Sequence, residues 1–108
     1  MIVVTTETVE GWRIGRMLGL VRGNTIRSRH IGRDILAGLR TIVGGEVTEY
    51  TKLMAEAREQ ALDRMVDEAR GLGANGIIAV RFETAMVLAG AAELLAYGTA
   101  VILEPFEP

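Results

Sequence analysis

The spacing of apolar positions changes along this chain, and each change marks an expected element. IVVTT (2–6) is short and β-branched, the composition of a strand. WRIGRMLGLVRGNTI (12–26) alternates in part, with Ile14, Leu18 and Leu20 on one face and Met17 and Val21 on the other. Gly19 and Gly23 within it predict a bulge, or places where another backbone comes close. The period then becomes helical. Ile31, Ile35, Leu36, Leu39, Ile42 and Val43 form one stripe over 29–45, with Ser28 as a possible N-cap and Gly44-Gly45 as a stop. Gly38 inside that helix costs about 1 kcal/mol relative to alanine, so close packing against a neighbour is expected there.

A second, longer helix is predicted over 48–72. Tyr50, Leu53, Met54, Ala57, Ala61, Leu62, Met65, Val66, Ala69 and Leu72 share one stripe, and the opposite face is charged. Arg64 and Glu68 make an i,i+4 pair, Thr48 is a candidate cap, and GLGAN (71–75) ends the helix. The alanines on the stripe call for a close approach to a sheet. IIAVRFET (77–84) reads as a strand that is apolar on both faces at its start.

TAMVLAGAAELLAYGTAVIL (84–103) has the length of a membrane-spanning helix and carries one charge, Glu93. Its large apolar residues favour insertion by roughly 2–4 kcal/mol, and one central acid opposes it by about 3. The balance is near zero and the flank EPFEP is acidic, so two strands are the better reading. Gly90 suits a hairpin tip between 77–87 and 93–103. The second strand would show Leu94, Ala96, Gly98, Ala100 and Ile102 on one face and Leu95, Tyr97, Thr99, Val101 and Leu103 on the other. A strand apolar on both faces needs cover on both. One helix covers one face, and beyond the 29–45 helix a chain of 108 residues has little left for the other. A homo-oligomer is the economical answer, with Leu94, Leu95, Tyr97, Val101 and Leu103 as candidate interface residues.

Charge refines this picture. Residues 11–40 hold seven arginines against one acid, Asp34, while 41–108 hold five basic residues and eleven acids. Mutual pairing of the two halves is the plainer reading. Binding of an anionic small ligand or nucleic acid through the 13–40 region is the alternative. Trp12 is the one aromatic in the basic stretch 11–40 and offers little to stack bases on, so nucleic acid is the less favoured partner. The chain has no cysteine, hence no disulfide and no thiolate site. MIVVTTETVEG lacks the features of a signal peptide, which makes a cytoplasmic location the default expectation.

Chemistry finds few footholds. The chain contains no GxSxG, P-loop, HExxH or GxGxxG pattern, and the proximity of Ser28 and His30 in sequence does not create a nucleophile–base pair. Catalysis is therefore not expected. His30 and Asp34 are four residues apart and could share a helical face as weak metal ligands, but two ligands are too few for zinc. Glu56, Glu59, Asp63 and Asp67 read as a solvated helix face.

Six stretches together resemble the YbjQ-like family of small bacterial and archaeal proteins: TTETVEGWRI (5–14), GLVRGNTI (19–26), RDILAGLRTIVGG (33–45), EYTKLMAEAREQAL (49–62), ARGLGANGIIAVRFE (69–83) and GTAV (98–101). The resemblance runs in order along almost the whole chain, and only the LAGAAELL tip departs from it. It implies one α+β domain over 1–108, assembled as a ring-shaped homopentamer. The expected order is β-β-α-α-β-β, with a mixed or antiparallel sheet and a C-terminal hairpin packed by a long amphipathic helix. The family's heavy-metal label implies a divalent or heavy metal ion as a cofactor, without naming ligands. Asp34, Tyr50, Arg58 and Asn75 match positions in the family motifs. An Asp34–Arg58 ion pair beside Tyr50 would form a buried polar latch, or would line a pocket at a subunit boundary. Asn75 is expected in a left-handed turn after the helix.

Overall fold

The computed structural model describes residues 1–27, 47–88 and 91–106. Its elements are β1 (Ile2–Val3), β2 (Trp12–Arg27), α1 (Val47–Gly71), β3 (Gly76–Leu88) and β4 (Ala91–Pro105). The helix expected over 29–45 lies outside the described residues. The strands form one mixed sheet in the order β1-β3-β4-β2. β1 runs parallel to β3, and β4 is antiparallel to both β3 and β2. The fold is therefore α+β with a C-terminal hairpin, and β3–β4 pairing reaches Leu88 and Ala91 on either side of the expected tip. The described parts of the twenty-residue stretch that suggested a span, 84–88 and 91–103, belong to two different strands. No helix among the described residues is long and apolar enough to cross a membrane.

The helix starts at Val47, so Thr48 falls inside it rather than capping it. Ala57, Ala61, Met65 and Ala69, one turn apart, are fully buried against the sheet. The approach is close because Gly23 of β2 lies beneath. A Cβ there would sit 2.2 Å from the Ala61 carbonyl oxygen and 2.4 Å from the Met65 nitrogen, so only glycine fits. Thr25, also buried, donates its hydroxyl to the Ala57 carbonyl at 3.4 Å. Val21, Ile77, Val80, Ala96 and Ala100 complete this core.

The helix ends in a Schellman turn. The Ala74 amide donates to the Ala69 carbonyl and the Gly73 amide to Arg70, with Gly73 at φ +83°. This corrects the expectation for Asn75. Glycine takes the left-handed conformation, two residues earlier, and frees the asparagine side chain for another task.

A smaller core lies on the opposite face of the sheet. Ile78, Val101 and Leu103 are buried there under Ile2, Val4, Val9 and Trp12. The N-terminal segment thus supplies cover that was expected from other copies or from the 29–45 helix. It is held by a run of backbone bonds, Ile2 to Asn75, Val4 to Ile77, Val80 to Val4 and Ala79 to Thr6. The last two serve a bulge in β3 between Ile78 and Arg81, where Ala79 adopts φ +55°.

The strands are long. Sixteen residues of β2 span about 50 Å. The Cα radius of gyration is 17.6 Å, where a compact chain of about 100 residues has about 13 Å. Among the described residues, much of so extended a sheet has no cover from the rest of the chain.

Candidate functional site

Beyond the N-terminal cover, the sheet face opposite α1 is open, and cross-strand register fixes what it presents. Residues opposite one another in paired strands share a face. Leu20, Thr99 and Ile78 make one row, and Arg22, Tyr97 and Arg81 the next. Asn24, Leu95 and Glu83 follow, then Ile26, Glu93 and Ala85.

Polar groups in these rows are partly joined. The Tyr97 hydroxyl donates to Glu83 Oε1 at 3.2 Å, and Asn24 Nδ2 donates to Glu93 Oε2 at 3.2 Å. Arg81 Nη1 donates to the carbonyls of Thr5 and Val80, both at 2.8 Å, so the bulge at Ala79 anchors that guanidinium beside the N-terminal segment. Arg64 of α1 donates to the Asn24 carbonyl. Arg13 pairs with Glu104 across β2 and β4, which is the pairing between basic and acidic halves that the charge distribution suggested. Arg16 and Arg22 are exposed and make no ion pair among the described residues.

Apolar side chains are exposed beside these polar ones. Met17 and Leu20 are each 63% exposed and Ile26 53%, all on the open face of β2. Sequence alternation had set Met17 and Leu20 on opposite faces. Two register shifts re-sort them, between Ile14 and Arg16 and between Met17 and Gly19. Each inserts one residue, and the one between Met17 and Gly19 inverts the alternation so that Met17 and Leu20 share a face, while the earlier one brings Ile14 to that face as well. The glycines at 15 and 19 were the available signal.

Both sheet edges are bare along much of their length. β2 has β4 on one side and no described strand on the other. β1 and the backbone bonds of the N-terminal segment shield β3 only as far as Val80, leaving its outer edge from Arg81 to Leu88 without a described strand neighbour.

The residues singled out from sequence fall in different places. His30 and Asp34 lie outside the described residues, so neither the metal pair nor the Asp34 half of the latch is part of this description. Tyr50 falls in the first turns of α1, and Arg58 is exposed beside buried Ala57. Asn75 anchors its carboxamide on Leu103, donating to its carbonyl at 2.9 Å and accepting from its amide at 2.6 Å. Of the interface candidates, Leu94, Val101 and Leu103 are buried within the chain itself, the first on the sheet face that α1 packs against and the others under the N-terminal segment. Leu95 and Tyr97 remain half-buried on the open face. Glu56, Glu59, Asp63 and Asp67 are all exposed on α1. Among the described residues no three His, Cys, Asp or Glu side chains converge as a metal ion would require.

These features define a small α+β chain in which, among the described residues, one helix crosses one sheet face and large apolar side chains are exposed on the other. The chain belongs to the YbjQ-like family, whose profile, described as "Putative heavy-metal-binding", matches residues 1–104. It is 60% identical over 104 residues to a UPF0145 protein of Dehalococcoides mccartyi, covering 96% of this chain and all of that one. A UPF0145 protein of Thermus thermophilus is 57% identical over 105 residues, 97% of this chain and 92% of its relative. One from Methanosarcina acetivorans is 56% identical over 101 residues, covering 94% and 95%. The fold also matches a crystal structure of a protein of unknown function from Pediococcus pentosaceus, with a TM-score of 0.63 at 16% identity, covering 96% of this chain and 98% of that one.

Proposed function

We propose that the functional unit is a homo-oligomeric ring of this chain, five copies as the family resemblance implies, and that ligands bind to surfaces built by several copies. The observation that carries this reading is the exposed row of Met17, Leu20 and Ile26 on a bare edge strand. Fully burying each such side chain is worth about 1.5–3 kcal/mol, and a long apolar edge left in water invites uncontrolled pairing. The excess radius of gyration supports it from a different direction, since mutual cover replaces the compactness that each chain lacks.

The family's metal description fits a single chain poorly. There is no cysteine to favour soft metals, and no three potential ligands converge among the described residues. A metal reading rests on His30 and Asp34, repeated around a ring so that neighbouring copies complete the ligand set. Native mass spectrometry of the purified protein, with elemental analysis after mild dialysis, tests both parts. The expected result is a multimer whose metal content, if stoichiometric, is lost in a His30→Ala variant. A multimer that neither carries nor takes up metal leaves the assembly and removes the metal reading.

A second reading has its own observation. Arg22 and Arg81 flank Tyr97 in one row, and Arg22 has no acidic partner among the described residues. Two guanidinium groups around a phenol suit an anionic small ligand. Salt-dependent binding of phosphate or carboxylate probes, weakened by Arg22→Glu, is the expected behaviour. No binding at low salt rules it out.

A further inference from the structure

The two bare edges are different strands on opposite sides of one sheet, and this decides how copies meet. We infer that β2 of one copy pairs with β3 of the next, in parallel and on the open length 81–88, so that assembly is head-to-tail. This rests on the homo-oligomer reading and goes beyond it by naming the surface and its partner surface.

Three observations carry it. First, backbone groups along the outer sides of β2 and of β3 beyond Val80 lack a described strand partner, and an edge of this kind is completed by another strand. Second, charge selects the pairing. β2 contains Arg13, Arg16, Arg22 and Arg27 and no acid, so β2 against β2 would face arginines with arginines. The open part of β3 carries Arg81 and Glu83, is neutral in sum, and presents an exposed carboxylate on the same sheet face as Arg22. Third, direction agrees. β2 and β3 are both antiparallel to β4 and therefore run the same way. A rotation about an axis along the strands brings β2 beside β3 of the partner subunit in parallel, and leaves a free β2 to receive the next copy. Such a heterologous contact closes into a ring when the rotation divides a full turn. Exposed Met17, Leu20 and Ile26 would then be covered near the junction.

The absence of native cysteine makes the test direct. Arg22→Cys and Glu83→Cys are introduced singly and together, and Asn24→Cys with Ala85→Cys, two residues further along in the same parallel register, serves as a second pair that keeps every arginine. The purified full chains are treated with a short bis-maleimide cross-linker. The inference expects no covalent multimer from the single variants, and from the double variants a ladder extending past the dimer to the full ring. A covalent dimer from either single variant means that like edges meet, and overturns it. An intact oligomer by light scattering with no cross-link from either pair overturns this surface while leaving the assembly reading in place. A wild-type monomer removes both.

Discussion

The carboxamide of Asn75 pairs with both backbone groups of Leu103, donating at 2.9 Å and accepting at 2.6 Å. The side chain thus stands in for a peptide group and extends the β3–β4 ladder past its first residue pair, Gly76 and Val101. Its own backbone is engaged as well, with the amide on Val101 and the carbonyl on Ile2. One residue therefore ties the turn after α1 to β4 and β1. Asn75→Ala removes both side-chain bonds and leaves part-buried backbone groups without partners, a loss of about 1–3 kcal/mol. Asn75→Asp keeps the acceptor and sets a carboxylate against the Leu103 carbonyl, so it should also destabilise. Denaturant melts of the two variants against wild type check this, and a change under about 0.5 kcal/mol for Asn75→Ala contradicts the role.

Gly23 is the contact point of helix and sheet. An added methyl at that position meets helix backbone, which cannot rotate away. Gly23→Ala should cost about 2–3 kcal/mol by forcing α1 off β2. Thermal unfolding followed by circular dichroism reads the loss, and an unchanged melting temperature would mean that the helix does not lie there.

Ala79 behaves in the opposite sense. At φ +55° an alanine is strained by roughly 1–2 kcal/mol, more than the added flexibility of glycine costs. Ala79→Gly is expected to stabilise by up to about 1 kcal/mol, while Ala96→Gly, in a regular buried strand, should destabilise. If both variants lose stability equally, the bulge is not held as described.

Much of this architecture was legible in the sequence because it depends on period and small residues. The alanine stripe of α1 predicted its close seat on a sheet, and Gly90 with the lone Glu93 separated a hairpin from a membrane span. Other features depend on choices between neighbours that propensity does not resolve. Gly73 and Asn75 both favour a left-handed turn, and only the Schellman geometry assigns it to the glycine. A bulge at Leu18 brings Met17 and Leu20 to one face, although simple alternation separates them. The cover over Val101 and Leu103 comes from Ile2, Val4, Val9 and Trp12 at the far end of the chain, a contact with no local signal. The exposed row on β2, which carries the functional reading, was therefore hidden behind a one-residue insertion.

Leu20 discriminates between an isolated chain and an assembled one. On a free surface Leu20→Glu changes stability by no more than about 0.5 kcal/mol. At a dry junction it buries a carboxylate and should dissociate the oligomer while the helical signal persists. Sedimentation velocity at micromolar concentration separates the outcomes, and an unaltered assembly would place Leu20 outside the junction.

Multi-angle light scattering of the wild-type chain at micromolar concentration separates a ring from a lone chain by mass alone. Self-assembly into a pentameric ring predicts one species of five times the 11.7 kDa chain mass, unchanged on dilution within that range. A species of 11.7 kDa contradicts it.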